Sequence, residues 1–349
     1  MKASDPVAAL SLFGIPTGDA SLQPISDGYI NDTYKVVLPG EPGYILQRIN
    51  TEVFPDPGLL MHNLEEVLPR LRGEGYHPPE LVRTPEGASW ATGPGGHSWR
   101  VYRFIEGSFT LSVAGAPGIS REAGRILGRF HKLLEGTPAD LLEPVLPGFH
   151  DLGLRMGQLG EAAHSGLPER VQEGGELLAL GRELSEFLRQ ANLDELPLRI
   201  CHNDPKLSNV LFEQATSRAL CLIDLDTLMP GYLVYDFGDA VRSVVTPLPE
   251  DHPDPGELDI DLENYRAFCA GFASCGLALQ EGERNSLPYG LVLMPLLHGV
   301  RALADYFLGD RYYKTAFEGQ NLLRAKNLLG LARLAAGRME ELTTIWKTS

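Results

Sequence analysis

The sequence predicts an α+β chain of two lobes, a small antiparallel-sheet lobe over residues 1–105 and a mostly helical lobe over 106–349. Three observations carry that expectation. Before residue 105 apolar and polar residues alternate in short runs separated by turn residues, and after it the apolar residues recur at helical spacing. No repeat, low-complexity tract or long linker divides the two parts, so the boundary near 105 reads as a hinge between lobes packed face to face.

The elements follow in order. NDTYKVVL and YILQRI alternate around the turn-forming PGEPG, and SWRVYRF alternates again after TGPGGH. One helix interrupts these strands: Asp56 caps it, Pro57 takes its first position, and Leu60, Leu64, Val67, Leu68 and Leu71 share a face. After IEGSF, Ser120 is expected to cap a helix whose apolar stripe is Ala123, Ile126, Leu127, Phe130, Leu133 and Leu134. Further helices are expected near 151–164, 174–192, 260–276, 283–308 and 319–345, with two short strands, Val210 to Phe212 and Ala219 to Ile223, among them.

A formal net charge of −16 over 349 residues, with no run of Lys or Arg, argues against nucleic acid or an anionic membrane as the partner. A small molecule is expected instead: neutral, cationic, or an anion met by a few local positive charges. The four cysteines Cys201, Cys221, Cys269 and Cys275 form no CxxC pair and read as reduced core thiols. MKASDPVAAL lacks the apolar core of a signal peptide, and LVLMPLLHGV is short and Pro-interrupted for a bilayer span, so the expected location is cytoplasmic.

The chemistry concentrates between Arg199 and Arg242, in CHNDPKLSNVLF and CLIDLDTLMPGYLVYDFGDAVR. Phosphoryl transfer to a hydroxyl needs a carboxylate that accepts the proton, a divalent cation on the phosphates, and donors that neutralise them. Asp204 is the expected base. Asn209, five residues on, and Asp224, at the end of the strand ALCLI, are the expected ligands of Mg²⁺, which favours oxygen donors. Lys206 stands where a cation would reach the transferring phosphate, and the alternative for it is a solvated loop lysine. His202, with no ligand partner at helical or strand spacing, reads as a support of its loop, and Asp226 as support behind Asp224. One of Asp236 and Asp239 is expected to fix the catalytic loop through backbone hydrogen bonds, with Asp239 or Arg242 facing the substrate. In SDGYINDTY, Gly28 with Asn31 and Thr33 forms a turn whose amides can approach a phosphate, or a plain hairpin.

HNDPKLSN with IDLD resembles the aminoglycoside phosphotransferase and choline kinase superfamily over the chain from about Ser21 to Asn327, and implies a protein-kinase-like fold. GYINDTYKV, YILQRIN with VFPDPGLLMHNLEEV, IDLDTLMPGYLVYDFGDAVR, and RALADYFLGDRYYK leading to QNLLRAKNLL most resemble the N-acetylhexosamine 1-kinase group. The resemblance implies an ATP- and Mg²⁺-dependent kinase acting on the anomeric hydroxyl of a hexose or N-acetylhexosamine. It gives Asp204 the role of base, Asn209 and Asp224 the metal, Gly28 and Asn31 the nucleotide loop, Phe104, Ile105 and Glu106 the adenine hinge, and Arg301 a place on the sugar pocket, whereas position alone would make Arg301 a core-helix salt-bridge partner. PGFHDL, around Phe149 to Asp151, is a candidate for the same wall.

One departure stands out: the strand that carries the phosphate-binding lysine in protein kinases reads YILQRIN here, without lysine. Alternation puts Gln47 and Arg48 on opposite faces, so Arg48, or Lys35 on the neighbouring strand, is left to replace that cation. Three other readings compete: a haloacid-dehalogenase-type phosphatase using Asp224 and Asp226, a kinase-like binding module without activity, and a kinase of an amino-alcohol or antibiotic.

Overall fold

In the computed structural model, which describes residues 6–25, 30–191 and 193–349, period-two alternation builds the first lobe. Its elements are α1 (Pro6–Ser11), β1 (Ser21–Ile25), β2 (Asp32–Val37), β3 (Tyr44–Ile49), α2 (Pro57–Val67), β4 (Leu81–Val82), β5 (Ala91–Thr92) and β6 (Ser98–Arg103). They form an antiparallel sheet of order β1-β2-β3-β6-β4, with β5 also paired to β6. Register decides which residues meet the second lobe. Asp32, Arg48 and Trp99 lie opposite one another, as do Thr33, Gln47 and Arg100 one step along. The Trp99 face packs with Val36, Leu46 and Val101 under Ala9 and Leu10 of the first helix and Phe13 just after it, so the Arg100 face is the one turned to the cleft. The expected α2 cap is present: the Asp56 carboxylate accepts from Leu59 N at 2.9 Å, and Leu60, Leu64, Val67, Leu68 and Leu71 are buried.

The second lobe runs β7 (Ser108–Phe109), α3 (Pro117–Leu133), α4 (Leu152–Ser165), α5 (Pro168–Glu173), α6 (Gly175–Leu188), β8 (Leu198–Cys201), β9 (Val210–Glu213), β10 (Ala219–Leu222), β11 (Met229–Tyr232), α7 (Leu233–Arg242), α8 (Leu262–Ala273), α9 (Glu281–Ser286), α10 (Gly290–Phe307), α11 (Gln320–Gly337) and α12 (Met339–Lys347). Its short strands pair as β10-β9-β7 and β11-β8, all antiparallel. The architecture is therefore the two-lobed, protein-kinase-like α+β fold that the sequence implies.

Three expectations change. Pro117 starts α3 one turn early, because its fixed φ suits the first helical position; Ser120 lies inside the helix, buried, and its hydroxyl donates to Asn264 Oδ1 at 2.7 Å. The helix expected at 283–308 is interrupted at Leu287–Tyr289, where Pro288 has no amide hydrogen to continue the ladder. The one expected at 319–345 breaks at Arg338, whose φ of −109° and ψ of 16° leave the helical region. The helical run Glu281–Phe307 is long and apolar enough to cross a membrane, but 78% of its apolar window is buried in the protein, so it serves as a core helix.

Backbones touch where α3 crosses α8. A Cβ on Gly271 would sit 2.0 Å from Arg121 O, and one on Gly124 would sit 2.1 Å from Phe268 O. Neither carbonyl can retreat without moving a helix. Gly271→Ala is therefore expected to destabilise the protein by about 3 kcal/mol, at the upper end of overpacking costs, which a lowered thermal midpoint will show.

Candidate active site

The loop between β8 and β9 is held from below by one carboxylate. Asp236, fully buried on α7, accepts from His202 N at 2.8 Å, Asn203 N at 2.7 Å and His131 Nε2 at 2.9 Å. Asn203 takes a left-handed conformation with φ of 64°, which asparagine tolerates, and its amide donates to the carbonyls of Cys201, Thr227 and Met229. His202 is buried, as a loop support should be. Its Nδ1 accepts from Asp204 N at 3.2 Å and its Nε2 donates to Ile223 O at 2.9 Å, an arrangement that fits one neutral tautomer.

Asp204 is thus presented to the cleft by a loop with its backbone pinned. Its Oδ2 receives Asn209 Nδ2 at 3.0 Å and lies 3.2 Å from Lys206 Nζ. The charge of Asp204 above all, then Asp224 and Asp239, keeps Lys206 protonated well above its ordinary value in spite of burial. The second Asn209 hydrogen also goes to Asp204, onto its carbonyl at 2.8 Å, which leaves the amide oxygen for a cation. Asp224 follows β10 in the left-handed region, φ 60°, and its side chain opens onto the cleft. Although open to solvent, it is crowded by protein: desolvation first, then the charges of Asp226 and Asp204, lift its carboxyl to about 6. A carboxylate that like charges crowd, beside an amide oxygen, is a donor set that fits Mg²⁺.

Asp226 does not share that role. It is buried, its Oδ2 accepts from Asn31 Nδ2 at 2.6 Å, and its Oδ1 pairs with Arg100 Nη2 at 2.5 Å. A carboxylate tied to both partners is not free for the acid/base role that the phosphatase reading requires.

Of the residues assigned to nucleotide, Gly28 lies outside the described residues. Asn31 is buried, its side chain donating to Asp226 and accepting from Asn50 N at 3.0 Å, so it links the lobes. Thr33 faces the cleft and accepts from Gln47 Nε2 at 3.1 Å. Arg48 is corrected: register places it on the outer face, paired with Asp32, and it does not replace the missing lysine. Lys35 does not either, since its ammonium sits 3.8 Å over the Phe104 ring. At the hinge, Phe104 N donates to Gly43 O at 3.0 Å, Ile105 O accepts from Ser108 Oγ, and Glu106 receives Gly43 N.

On the other side of Asp204 lies a wall of arginines and histidines. Asp239 and Arg242, both buried, bond at 2.7 Å; Arg242 continues to Glu250 at 2.7 Å, and Glu250 to Arg324 at 2.9 Å. Burial works to raise Asp239, but Arg242 and then His298 hold it well below the usual carboxylate range. The Asp239 Oδ2 atom is buried with no protein partner. Arg301 lies over the rings of Phe149 and Tyr313, at 5.2 and 6.0 Å, and forms no ion pair with a carboxylate among the described residues. It is not the salt-bridge partner that a core-helix position would make it.

His150 closes this wall, its Nε2 donating to Asn203 O at 2.8 Å. Burial first, then the neighbouring His298, lowers it to about 4. An unfolded histidine titrates near 6.5, so between those values the unfolded chain binds the extra proton. The stability contributed is complete above about pH 6.5 and is lost as pH falls through 4, up to about 3 kcal/mol. Urea unfolding followed from pH 7 to 4 should show that loss, and His150→Gln should reduce it.

Sequence reasoning missed Arg100, His131 and His298, whereas His150 lies within PGFHDL, the segment it named for the wall. Arg100 carried a signal, being the cationic residue of SWRVYRF that alternation sets beside Tyr102 and away from Trp99 and Val101. The free thiols read from the sequence are present: Cys201, Cys221 and Cys269 are buried, and Cys275 is half-buried.

Residues 21–275 match the phosphotransferase enzyme family. Among solved structures, a microcompartment-associated aminopropanol kinase superposes with a TM-score of 0.70 at 22% identity, covering 97% of each chain. An aminoglycoside phosphotransferase from Alicyclobacillus acidocaldarius gives 0.61 at 15% identity, covering 100% of this chain and 98% of its own. A choline kinase from Cryptosporidium parvum gives 0.55 at 14%, covering 96% and 94%.

Proposed function

The chain belongs to the phosphotransferase enzyme family, and from that premise we propose that it is an ATP- and Mg²⁺-dependent small-molecule kinase that phosphorylates the anomeric hydroxyl of a hexose or N-acetylhexosamine. The kinase reading rests on the convergence of Asp204, Lys206, Asn209 and Asp224 at one mouth of the cleft. Asp204 accepts the proton of the acceptor hydroxyl as its oxygen attacks the γ-phosphorus of ATP, and ADP leaves. A hemiacetal hydroxyl is more acidic than an ordinary alcohol, so an aspartate is base enough. Lys206, fixed beside Asp204, balances the charge of the transferring phosphoryl group. When bound to Asn209 and Asp224, Mg²⁺ supplies charge neutralisation on the phosphates. Asp236 keeps the loop still while the proton moves.

The acceptor class rests on one observation, the charge of the wall beside Asp204. Arg301, Arg324, Arg242 and Arg155 outnumber Asp239, Glu250 and Asp151 there, and burial pushes the two histidines toward their neutral forms. Such a wall repels an ammonium group and suits the hydroxyl and amide oxygens of a neutral sugar. A second reading, an amino-alcohol kinase, is favoured by the unpartnered Asp239 Oδ2 and the aminopropanol kinase's similar fold.

An ADP-release assay over N-acetylhexosamines, hexoses, aminopropanol, choline and aminoglycosides separates them. The expected result is turnover with a sugar and a product phosphate that hydrolyses readily in acid. Turnover of the amines alone, giving an acid-stable phosphate, replaces the sugar with an amino-alcohol and leaves the kinase standing.

A further inference from the structure

We infer that Arg100 is the phosphate-binding cation of the first lobe, set one strand away from the position where Gln47 stands, with Asp226 as its fixed counter-ion. The inference rests on the kinase reading of the cleft. Arg100 is 1% exposed, on the sheet face turned to the second lobe, and three of its contacts are visible. Its Nε donates to Gln47 Oε1 at 3.0 Å, its Nη2 pairs with Asp226 Oδ1 at 2.5 Å, and its guanidinium carbon lies 5.3 Å from the centre of the Tyr102 ring. Its Nη1 is buried and has no partner. Leaving guanidinium hydrogens unsatisfied in the interior is costly, and arginine has no other protonation state in which to escape that cost. An oxygen ligand that is absent from the protein itself completes the set.

Position says which oxygen. Arg100, Tyr102 and Phe104 project to the same side of β6 and its continuation, at two-residue intervals, so Arg100 lies roughly 13 Å from the hinge end along the strand. An adenine at the hinge directs an extended triphosphate along that line. At its far end Asp226 belongs to the same turn as Asp224, two residues earlier, so the guanidinium stands beside the carboxylate assigned to the metal. Gln47 and Thr33 complete the cradle from β3 and β2: Gln47 accepts from Arg100 and donates to Thr33, and both of its polar ends are spent on orienting the guanidinium. Asp226 cannot be a metal ligand in this arrangement. It also receives Asn31, so the two lobes are tied at the place where the phosphates would enter.

The test is nucleotide binding, measured by calorimetry without acceptor, for ATP, ADP and adenosine. In Arg100→Gln/Asp226→Asn, which removes both charges together and leaves no unpaired one buried, ATP affinity should fall at least tenfold while adenosine affinity stays within twofold. Adding Gln47→Lys should recover part of the ATP affinity by returning the cation to the neighbouring strand. Should the neutral pair not fold, Arg100→Lys keeps the charge and loses the fork, and should lower the ratio of ATP to adenosine affinity several-fold. A merely structural arginine would instead lower the melting temperature and leave that ratio unchanged, which overturns the assignment. Failure of the wild-type protein to bind ATP overturns the kinase reading itself.

Discussion

Asp204→Asn is expected to lower kcat roughly a thousandfold, about 4 kcal/mol of transition-state stabilisation, while ATP binds within a few-fold of wild type. The substitution keeps the shape of the side chain and removes two things. One is the basic oxygen proposed to take the acceptor proton. The other is the charge that holds Lys206 at 3.2 Å. Asn209 and Lys206 both address the same carboxylate oxygen, Oδ2, so an asparagine at 204 that keeps its oxygen there retains both contacts without the charge. That orientation puts the amide nitrogen where the other carboxylate oxygen stood and leaves Lys206 beside a neutral acceptor. The residues proposed to hold the nucleotide and its metal, by contrast, are the hinge, Arg100, Asn209 and Asp224, and none of them is altered. Single-turnover kinetics with an ATP titration separates the two effects. Near-wild-type turnover would falsify the base assignment. A large loss of ATP affinity with unchanged single-turnover rate would move Asp204 from proton transfer to nucleotide binding.

What the sequence discloses about such a site depends on how local the determinant is. The Asp56 cap was legible because cap, proline and apolar stripe lie within one helix, and the Asp204 to Asn209 spacing was legible because both ends sit in one loop. Alternation correctly separates Gln47 from Arg48, yet it cannot say which face of a sheet meets another lobe. That is decided by Ala9, Leu10 and Phe13 covering the Trp99 side, a contact made by residues some ninety positions away in the chain. Arg100 therefore reads like any arginine of a half-buried strand until Asp226 is seen opposite it. The same holds in the second lobe. Asp236 and Asp239 are three apart on one amphipathic helix and look equivalent, but one turns to β8 and its loop while the other turns to Arg242 and His298. Ser120 shows the opposite failure: a residue with the right cap chemistry loses the position to Pro117, and its hydroxyl is used for a contact between helices.

The division between those two aspartates is open to direct measurement, because Asp236→Ala is expected to cost about 3 to 5 kcal/mol of stability and to remove most of the activity of the molecules that remain folded. Three buried donors lose their acceptor at once: the His202 and Asn203 amides and the His131 ring. All three donors are buried, so each bears its own desolvation. The loop is further held by Asn203 and by Thr227, whose hydroxyl donates to His202 O at 2.7 Å. These contacts keep the chain near its course but do not fix the left-handed turn at Asn203 that aims Asp204. Catalysis should therefore fall further than stability. Urea unfolding gives the first number, and kcat per folded molecule at low temperature gives the second. Amide exchange at His202 and Asn203, faster in the variant than elsewhere in the lobe, would tie both to this one carboxylate. Asp239→Ala should behave otherwise: its partners Arg242 and His298 belong to the proposed acceptor wall, so KM for the acceptor should move while those two amides stay protected. Equal protection of the two amides in both variants would mean that the loop is held by Asn203 and Thr227 alone.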